Sequence, residues 1–332
     1  MIATSSIKTH VSVVMSVYND AGRIERAVTS ILRQSHADLE LIVVDDGSRD
    51  GSGALLDRMA AADTRLRVIH QENSGLTRAL IRGCSEAKSE FIARQDSDDW
   101  SHPARIADQL ALIQGDNRVG FVSCPTQYVG PRGEPLLVVS RTTDPAEATR
   151  RLRNCREGPP AHGSVLFRRA LYERVGGYRE EFYFAQDADL WLRMAEHAWI
   201  GYLPIVRYAF VREIESTSGA QRPIQRKFGE IGQLCREARE RGGSELPFLQ
   251  EAARLSATIG ASRTPGAADL ERSRADAAYS IGSQLALNGD RRAIRYLLKT
   301  IGLYPRHWKA WIRLAQAFLT GRRKTESVMG VD

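Results

Sequence analysis

The sequence lacks the long apolar runs that membrane-spanning segments require. None of its apolar stretches approaches the roughly 20 residues of a transmembrane helix. The first ten residues also lack the apolar centre of a secretory signal peptide. Both absences predict a protein that stays in the cytoplasm, either free or at the inner face of a membrane.

Cysteine is also scarce. The 332 residues contain four, Cys84, Cys124, Cys155 and Cys235, and no Cys-x-x-Cys pair. Structural zinc sites and disulfide frameworks use clustered or regularly spaced cysteines. We therefore expect four free thiols in a reducing compartment.

Acidic residues are in short supply in only one part of the chain. Residues 1–218 carry 27 Lys and Arg against 29 Asp and Glu, whereas residues 219–332 carry 20 against 11. This asymmetry indicates two regions with different roles. The basic region would suit an anionic membrane surface, or else it presents solvated helix faces. No nucleic-acid-binding motif is present, so a nucleic acid partner is not expected.

Strands and helices alternate through the first half of the chain. Apolar, β-branched runs predict strands, and apolar residues spaced three and four apart predict helices. The predicted strands cover residues 11–17, 39–44, 66–70, 91–94 and 120–129, and the predicted helices cover 22–34, 52–62, 76–87 and 103–114. Short connections between them predict an α/β fold, with a mostly parallel sheet between two layers of helices.

The rest of the chain is irregular at first and then helical. Residues 130–160, with five prolines, predict a loop that contains one helix at 145–154. A strand at 164–167 and helices at 169–175 and 187–197 follow, and beyond residue 218 the periodicity is helical only. We divide the chain into an α/β domain at residues 10–218 and an all-α region at 223–332. We expect the α/β domain to keep its basic activity without the helical region.

Polar residues follow three of the predicted strands. Ser16 and Tyr18 stand at the end of the first, Asp46 follows the second, and Asp96 and Asp98 follow the fourth. In open α/β sheets, ligands bind beyond the carboxyl ends of the strands. A dinucleotide-dependent dehydrogenase would need a glycine-rich turn after the first strand. This chain has none there, which disfavours that class.

The Asp96-x-Asp98 pair is the most informative of these groups. Residues i and i+2 of an extended segment point to the same side, so two carboxylates can face one cation. Hard oxygen ligands suit Mn²⁺ or Mg²⁺, which would share its remaining positions between diphosphate oxygens and water. The alternative is an acidic surface turn. The position of the pair, in series with two other polar strand ends, favours a site.

Several ordered motifs carry a resemblance to a known family. They are VSVVMSVYN at 11–19, VVDDGSRDG at 43–51, NSGL at 73–76, DSDDW at 96–100 and QDADLWLR at 186–193. Over about residues 10–218 the chain resembles family 2 glycosyltransferases of the GT-A fold, of the type that builds bacterial cell-surface polysaccharides. The resemblance implies an enzyme that moves a sugar from a nucleotide diphosphate donor, usually UDP-linked, to a glycan or lipid-linked acceptor. It also implies inversion and a need for Mn²⁺ or Mg²⁺.

The resemblance further implies roles for individual residues. Ser16, Tyr18, Asp46 and Arg78 would bind the donor, Asp96 would lie at the ribose and the metal, and Asp98 would bind the metal. Asp187 would be the general base that deprotonates the acceptor hydroxyl. The family usually has Glu-Asp where this chain has Gln186-Asp187. The alternative role of Asp187 is to cap the helix that follows it.

Four further residues are candidates, and two of them, His162 and Trp100, have a structural alternative. His162 would approach the acceptor or the diphosphate, although a single His is more often structural. Trp100 would stack on a sugar, or be buried under the adjoining loop, and Asp99 continues the acidic run. Arg212 stands where family members often carry a His of the phosphate or metal shell, and it would neutralise diphosphate directly.

The helical region contains one segment that looks like a tetratricopeptide hairpin. Gly282 and Ala293 would let two helices approach closely, and Pro305 would end the second. A single hairpin is too short for a repeat array, so it should pack against the α/β domain or a partner. Basic residues interspersed with Trp308 and Trp311 suit an anionic membrane surface.

Two other classes of function remain as alternatives. A nucleotidyltransferase shares the parallel sheet and paired carboxylates, but it would need a basic, glycine-rich phosphate loop that is absent here. A non-catalytic scaffold would have no reason to retain Asp46, Asp96, Asp98 and Asp187 together.

Overall fold

The computed structural model describes residues 10–214, 222–261 and 266–320. The boundary expected between residues 218 and 223 falls largely outside the described residues. The strands are β1 (Val11–Val17), β2 (Leu39–Asp45), β3 (Leu66–His70), β4 (Phe91–Asp96), β5 (Trp100–Ser101), β6 (Val119–Ser123), β7 (Thr126–Val129), β8 (Pro135–Val139), β9 (Leu166–Arg168), β10 (Trp199–Tyr202) and β11 (Tyr208–Val211). The helices are α1 (Ile24–Leu32), α2 (Ser52–Ala62), α3 (Leu76–Glu86), α4 (Arg105–Gly115), α5 (Pro145–Arg153), α6 (Arg169–Arg174), α7 (Gln186–Ala195), α8 (Arg222–Glu240), α9 (Leu246–Ala261), α10 (Ala267–Leu287), α11 (Ala293–Leu303) and α12 (Trp308–Thr320).

The larger of two sheets has seven strands in the order β10-β6-β9-β4-β1-β2-β3. All its neighbours pair in parallel except β9, which is antiparallel to both β4 and β6. Every residue of β1 is buried, because helices cover both faces of the sheet. Val13 and Met15 pack on the side of α1, α2 and α4, and Val14 packs on the side of α3, α5 and α7. The predicted mostly parallel sheet between helices is confirmed.

A second, four-stranded sheet has the order β5-β11-β7-β8. The strand predicted at 120–129 is divided between the two sheets, as β6 and β7. The strand β8 was missed within the proline-rich stretch predicted as loop. It lies at the edge of its sheet, where Pro135 can begin a strand without breaking a central ladder. Helix α5 was predicted correctly, and Asp144 caps it by accepting from the Ala146 N–H at 3.0 Å.

The predicted helical hairpin packs against the second sheet. Asn288 donates to the Leu136 carbonyl at 2.8 Å, and the Tyr296 hydroxyl donates to Oε1 of the fully buried Glu134 at 2.8 Å. Arg295 forms an ion pair with the same carboxylate. At the crossing of α10 and α11, a Cβ on Gly282 would lie 2.9 Å from Leu297, so the helices approach as expected. The tetratricopeptide resemblance itself stays a prediction.

None of the described helices is both long enough and apolar enough to cross a membrane.

Candidate active site

A cavity of about 420 Å³ opens at the carboxyl ends of β1, β2 and β4. The parallel register places Ser16 beside Asp96 on one neighbouring strand and beside Val44 on the other. The cavity is lined by Ser16, Tyr18, Asp20, Arg23, Asp46, Asn73, Gly75, Leu76, Asp96, Ser97, Asp98 and Tyr183. Five of the six residues predicted for donor and metal therefore share one cavity, because parallel strands deliver their carboxyl ends to one edge.

Asp46 is held in a dense set of hydrogen bonds. Its Oδ1 accepts from the Gln71 side chain at 2.7 Å, the Ser74 N–H at 2.9 Å and the Ser74 hydroxyl at 3.0 Å. Its Oδ2 accepts from the Gly75 N–H at 2.8 Å, and from no other donor among the described residues. Since each carboxylate oxygen has two lone-pair sites, Oδ2 retains the capacity to accept one more donor from the cavity.

Asp96 forms an ion pair with a buried arginine of its own strand. Arg94 is 1% exposed, and its Nη2 donates to Asp96 Oδ1 at 2.6 Å, because residues i and i+2 of β4 share a face. Burial acts to raise the pKa of Asp96, but the charge of Arg94 and the Gly163 N–H outweigh it, so the pKa is lowered. Gly163 must lack a side chain here, since a Cβ would lie 2.7 Å from Asp96 Oδ2.

Asp98 lies in an excess of negative charge. Burial, followed by the charges of Asp96 and Asp20, raises the pKa of Asp98 to about 6, and Arg23 opposes the shift. Arg23 also lines the cavity and is shared between Asp20 and Glu213. The carboxylates around Asp98 thus form a site where a bound cation would be favourable.

The donor set fits the expected divalent metal. Asp96 keeps Oδ2 outside its ion pair with Arg94, and Asp98 makes a second hard oxygen ligand on the same cavity wall. Among the described residues, no group of three potential ligand side chains is present. Mg²⁺ and Mn²⁺ do not require such a group, because they commonly bind one or two carboxylates and take further oxygens from substrate phosphates.

Asp187 lies in the first turn of α7, beside Asp96 rather than on the cavity wall. Burial, with the charge of Asp96 as a further cause, raises the pKa of Asp187 to about 6, opposed by the Ala188 N–H and by Arg94. The capping role is wrong: the helix begins at Gln186, and Ala185 occupies the N-cap in a left-handed conformation with φ of 55°. Gln186 is buried at the first helical position.

His162, like Asp187, lies close enough to Asp96 to interact with its charge. Its Nε2 is 2.6 Å from the Tyr178 hydroxyl, and its ring meets those of Tyr178 and Trp191 edge to face. Burial, reinforced by Arg94, lowers the pKa of His162 to about 3, so the ring is neutral. A neutral His in this position can orient Tyr178 or a ligand hydroxyl, but it cannot supply positive charge.

Asp99 and Trp100 face away from the cavity. Asp99 accepts from the Tyr208 hydroxyl at 2.7 Å and from the Val211 N–H at 2.8 Å, which anchors β11. Trp100 is 8% exposed, and the Arg26 guanidinium lies 3.9 Å from its ring centroid. Burial therefore accounts for Trp100, and stacking on a sugar does not.

Two predicted arginines lie outside the cavity. Arg78 pairs with Glu180 at 3.1 Å and lines a neighbouring groove of about 550 Å³, which shares Gly75 and Tyr183 with the cavity. Arg212 donates to the Ser280 hydroxyl of α10 at 2.7 Å, so it links the two regions of the chain instead of facing a diphosphate. The direction of the Arg212 side chain therefore depends on its contact with α10.

The sequence did not reveal Arg23 and Tyr183 as cavity residues. Tyr183 lies on a loop that α9 holds in place: its N–H donates to the Ser256 hydroxyl at 3.3 Å, which in turn donates to the Glu181 carbonyl at 2.7 Å. Phe182 packs into a core with Phe228 of α8. Helices α8 and α9 thus support one wall of the site. The expected independence of the α/β domain stays a prediction that truncation of the chain would test.

Known proteins resemble this chain in both sequence and fold. The family model described as Glycosyl transferase family 2 matches residues 12–176. EpsE of Bacillus subtilis strain 168 is 32% identical over 200 residues, which cover 58% of this chain and 69% of EpsE. Hyaluronan synthase of Pasteurella multocida is 27% identical over 217 residues, covering 65% of this chain and 22% of the synthase. The chain thus spans about a fifth of that relative.

Two solved structures share the fold. The mannosyltransferase PcManGT of Pyrobaculum calidifontis, solved with GDP-Man and Mn²⁺, has a TM-score of 0.54 at 22% identity and covers 95% of this chain and 87% of its own. Residues 1–349 of S. aureus TarS with UDP have a TM-score of 0.53 at 17% identity, covering 92% and 91%. At these identities the likeness extends to the fold, which is of the GT-A type.

Proposed function

Because the chain belongs to glycosyl transferase family 2, we propose that it moves a hexosyl group from a UDP-linked sugar to a glycan or lipid-linked acceptor with inversion. The observation that supports this best is the convergence of Ser16, Asp46 and Asp96 in one cavity at the carboxyl edge of the sheet. That edge is where α/β folds bind nucleotides.

In this proposal the cavity binds the nucleotide diphosphate part of the donor. Asp46 accepts a ring N–H of the base through its unfilled Oδ2 site, and the exposed Tyr18 ring packs on the base. Asp96 lies at the ribose, with its orientation maintained by Arg94. Arg23 supplies positive charge on the cavity wall for the diphosphate.

Asp96 and Asp98 would hold Mn²⁺ or Mg²⁺ together with the donor. The chemistry that the ion supplies when bound is the neutralisation of charge on the leaving diphosphate. Burial raises the pKa of Asp98, and the charges of Asp96 and Asp20 raise it further. This cluster of carboxylates supports the assignment, because the bare site would repel the diphosphate.

Asp187 is the general base of the proposed transfer. Its carboxylate takes the proton of the acceptor hydroxyl as that oxygen bonds to the anomeric carbon and the bond from this carbon to the diphosphate oxygen breaks. Attack from the face opposite the diphosphate inverts the anomeric centre. The position of Asp187 beside Asp96, outside the donor cavity, supports a role toward the acceptor.

We further propose that the reaction takes place in the cytoplasm or at the inner face of the membrane, in cell-envelope or exopolysaccharide synthesis. The similarity to hyaluronan synthase supports a polysaccharide pathway. The basic helical region supports contact with an anionic membrane. Family membership removes the nucleotidyltransferase alternative, and a scaffold without activity remains an outcome of the test below.

Release of free nucleotide diphosphate from a panel of nucleotide sugars, with Mn²⁺ present, tests the proposal. We expect release from UDP-linked sugars in the parent protein and its loss in Asp98→Ala. Release of an intact nucleoside monophosphate, or no turnover of any donor under conditions where thermal shift detects binding, would refute sugar transfer.

A further inference from the structure

The last described helix, α12, has two apolar faces. Ala310, Leu314 and Ala317 are buried against the rest of the helical hairpin. On the opposite side, Trp308, Trp311, Ile312 and Phe318 are each between 50% and 64% exposed. The spacing of three, four and seven residues places these four side chains along one stripe of the helix. We call this stripe the outward face of α12.

Nothing in the described chain covers the outward face, and this is unusual for side chains of this size. Single exposed apolar residues are common on protein surfaces, whereas a contiguous stripe with two tryptophans marks an interaction surface. Only Ala315 on this stripe is small. Elsewhere in this region, a close approach of two helices is possible because Gly282 has no side chain against Leu297. The outward face, with its large side chains, is not suited to such a close helix crossing.

The charges around the outward face identify the kind of partner. Between residues 291 and 320 the sequence has seven Lys and Arg and no Asp or Glu. Two of these, Arg292 and Arg295, form ion pairs with Asp290 and Glu134. On α12 itself, Lys309 lies 5.6 Å from the Trp308 ring centroid, and Arg313 donates to Gln316. Neither forms an ion pair within the described residues.

We propose that the outward face of α12 binds an anionic phospholipid bilayer, with its aromatic and aliphatic side chains entering the interface. Helices with Trp and Phe on one side and Lys or Arg beside them lie in the plane of the membrane interface. Trp is the side chain that favours this depth, since its ring is apolar and its N–H is polar. The flanking cations attract the anionic headgroups. A nucleic acid would use the cations but would leave Ile312 and Phe318 in water.

The outward face is the surface through which the proposed glycosyltransferase would contact the membrane. In this respect the inference rests on the proposed function. Binding to vesicles is measured without donor or acceptor. A negative result therefore overturns the membrane proposal alone, and donor turnover in solution tests the transferase separately.

The test is cosedimentation with vesicles of phosphatidylcholine, with and without phosphatidylglycerol. We expect binding to the anionic vesicles only, weakened by salt, together with a shift of tryptophan emission to shorter wavelength. The signal is specific because Trp308 and Trp311 are the most exposed tryptophans, whereas Trp100 and Trp191 are buried.

Matched variants locate the contact. Trp308→Ser with Phe318→Ser should abolish binding, and Arg306→Gln with Lys309→Gln should weaken it about fivefold for each cation removed. The control Leu246→Ser removes an apolar side chain that is 58% exposed on α9, and it should bind as the parent does. Unchanged melting temperatures verify that each variant is folded.

Three results would overturn the proposal. The first is that the parent fails to bind anionic vesicles, and the second is that the Trp308 and Phe318 variant binds them undiminished. The third is a dimer in solution that this variant dissociates, because a second copy would then be what covers the outward face.

Discussion

Replacing Asp187 by Asn tests the candidate base with little change in the shape of the side chain. Ala185 occupies the N-cap of α7, so the substitution removes no capping hydrogen bond. We expect turnover to fall by roughly 10²–10⁴, the usual contribution of a positioned general base. Donor affinity should be retained, because Asp187 does not line the cavity.

The same substitution should stabilise the folded protein at neutral pH. Burial, then the charge of Asp96, raises the pKa of Asp187 from an ordinary value of 3.8 to about 6. This difference in pKa means that folding makes ionisation of the carboxyl group less favourable by roughly 3 kcal/mol. Partial contact with solvent reduces that bound, and we expect a gain of about 1–2 kcal/mol in the free energy of unfolding.

The sign of this effect depends on pH. The unfolded carboxylate ionises more readily than the folded one, so ionised Asp187 destabilises the folded state above about pH 6. The penalty disappears as the pH falls below 3.8, and parent and variant should then be equally stable. A substitution that lowers activity and raises stability is the behaviour expected of an active-site group.

Turnover of the parent should follow the ionisation of Asp187. With Asp96 and Arg94 as the charged groups facing it, a pKa of about 6 leaves about 90% of the carboxylate ionised at pH 7 and about 10% at pH 5. Because only the ionised form accepts a proton, the rate should fall about tenfold for each pH unit below 6. The residual rate of the Asn variant should lack the part of this dependence that Asp187 contributes, and saturating Mn²⁺ keeps Asp98 ionised in both proteins.

The assay is release of nucleotide diphosphate in the presence of acceptor, measured across this pH range together with urea unfolding. Asp189→Asn is the matched control, since Asp189 stands on the same helix but is paired with Arg193 at 2.6 Å. The control should lose stability and keep the acidic limb of the pH profile. A stable Asp187→Asn protein that turns over within a few-fold of the parent would remove Asp187 from the mechanism.

Three further predictions follow from the surroundings of Asp96 and from the contacts of α8 and α9. Asp98→Ala should abolish metal-dependent donor affinity in calorimetric titrations with Mn²⁺, and unchanged affinity would contradict its role as a ligand. Arg94→Met should lower the free energy of unfolding, measured with urea, by about 3–5 kcal/mol, because it leaves Asp96 without its buried cation. A loss below about 1 kcal/mol would show that the pair behaves like a surface ion pair. A chain ending after residue 261 should fold and turn over donor. A chain ending after residue 221 should be unfolded in circular dichroism, because the loss of α8 and α9 exposes Phe182 and releases the Tyr183 loop. A folded, active shorter fragment would contradict the structural role of α8 and α9.

Local pattern determined most of the first half of the fold. The strands at 11–17 and 66–70 and the helix at 52–62 were predicted with the bounds that the structure has. The spacing of apolar residues predicts that the strands are buried on both faces and that the helix is buried along one stripe. The convergence of Ser16, Asp46 and Asp96 also followed from the sequence. Each residue stands at or after the carboxyl end of a predicted parallel strand, and these ends lie at one edge of the sheet.

Only the tertiary structure decided which long-range partner each side chain has. Arg212 contacts Ser280, the Tyr183 N–H donates to Ser256, and the edge strand β8 pairs with β7 and packs against α10. These contacts join residues far apart along the chain, and no local periodicity specifies them. The motifs therefore predicted the chemistry of the cavity. The helices of the helical region follow from the same spacing rules, but their packing against the cavity wall does not.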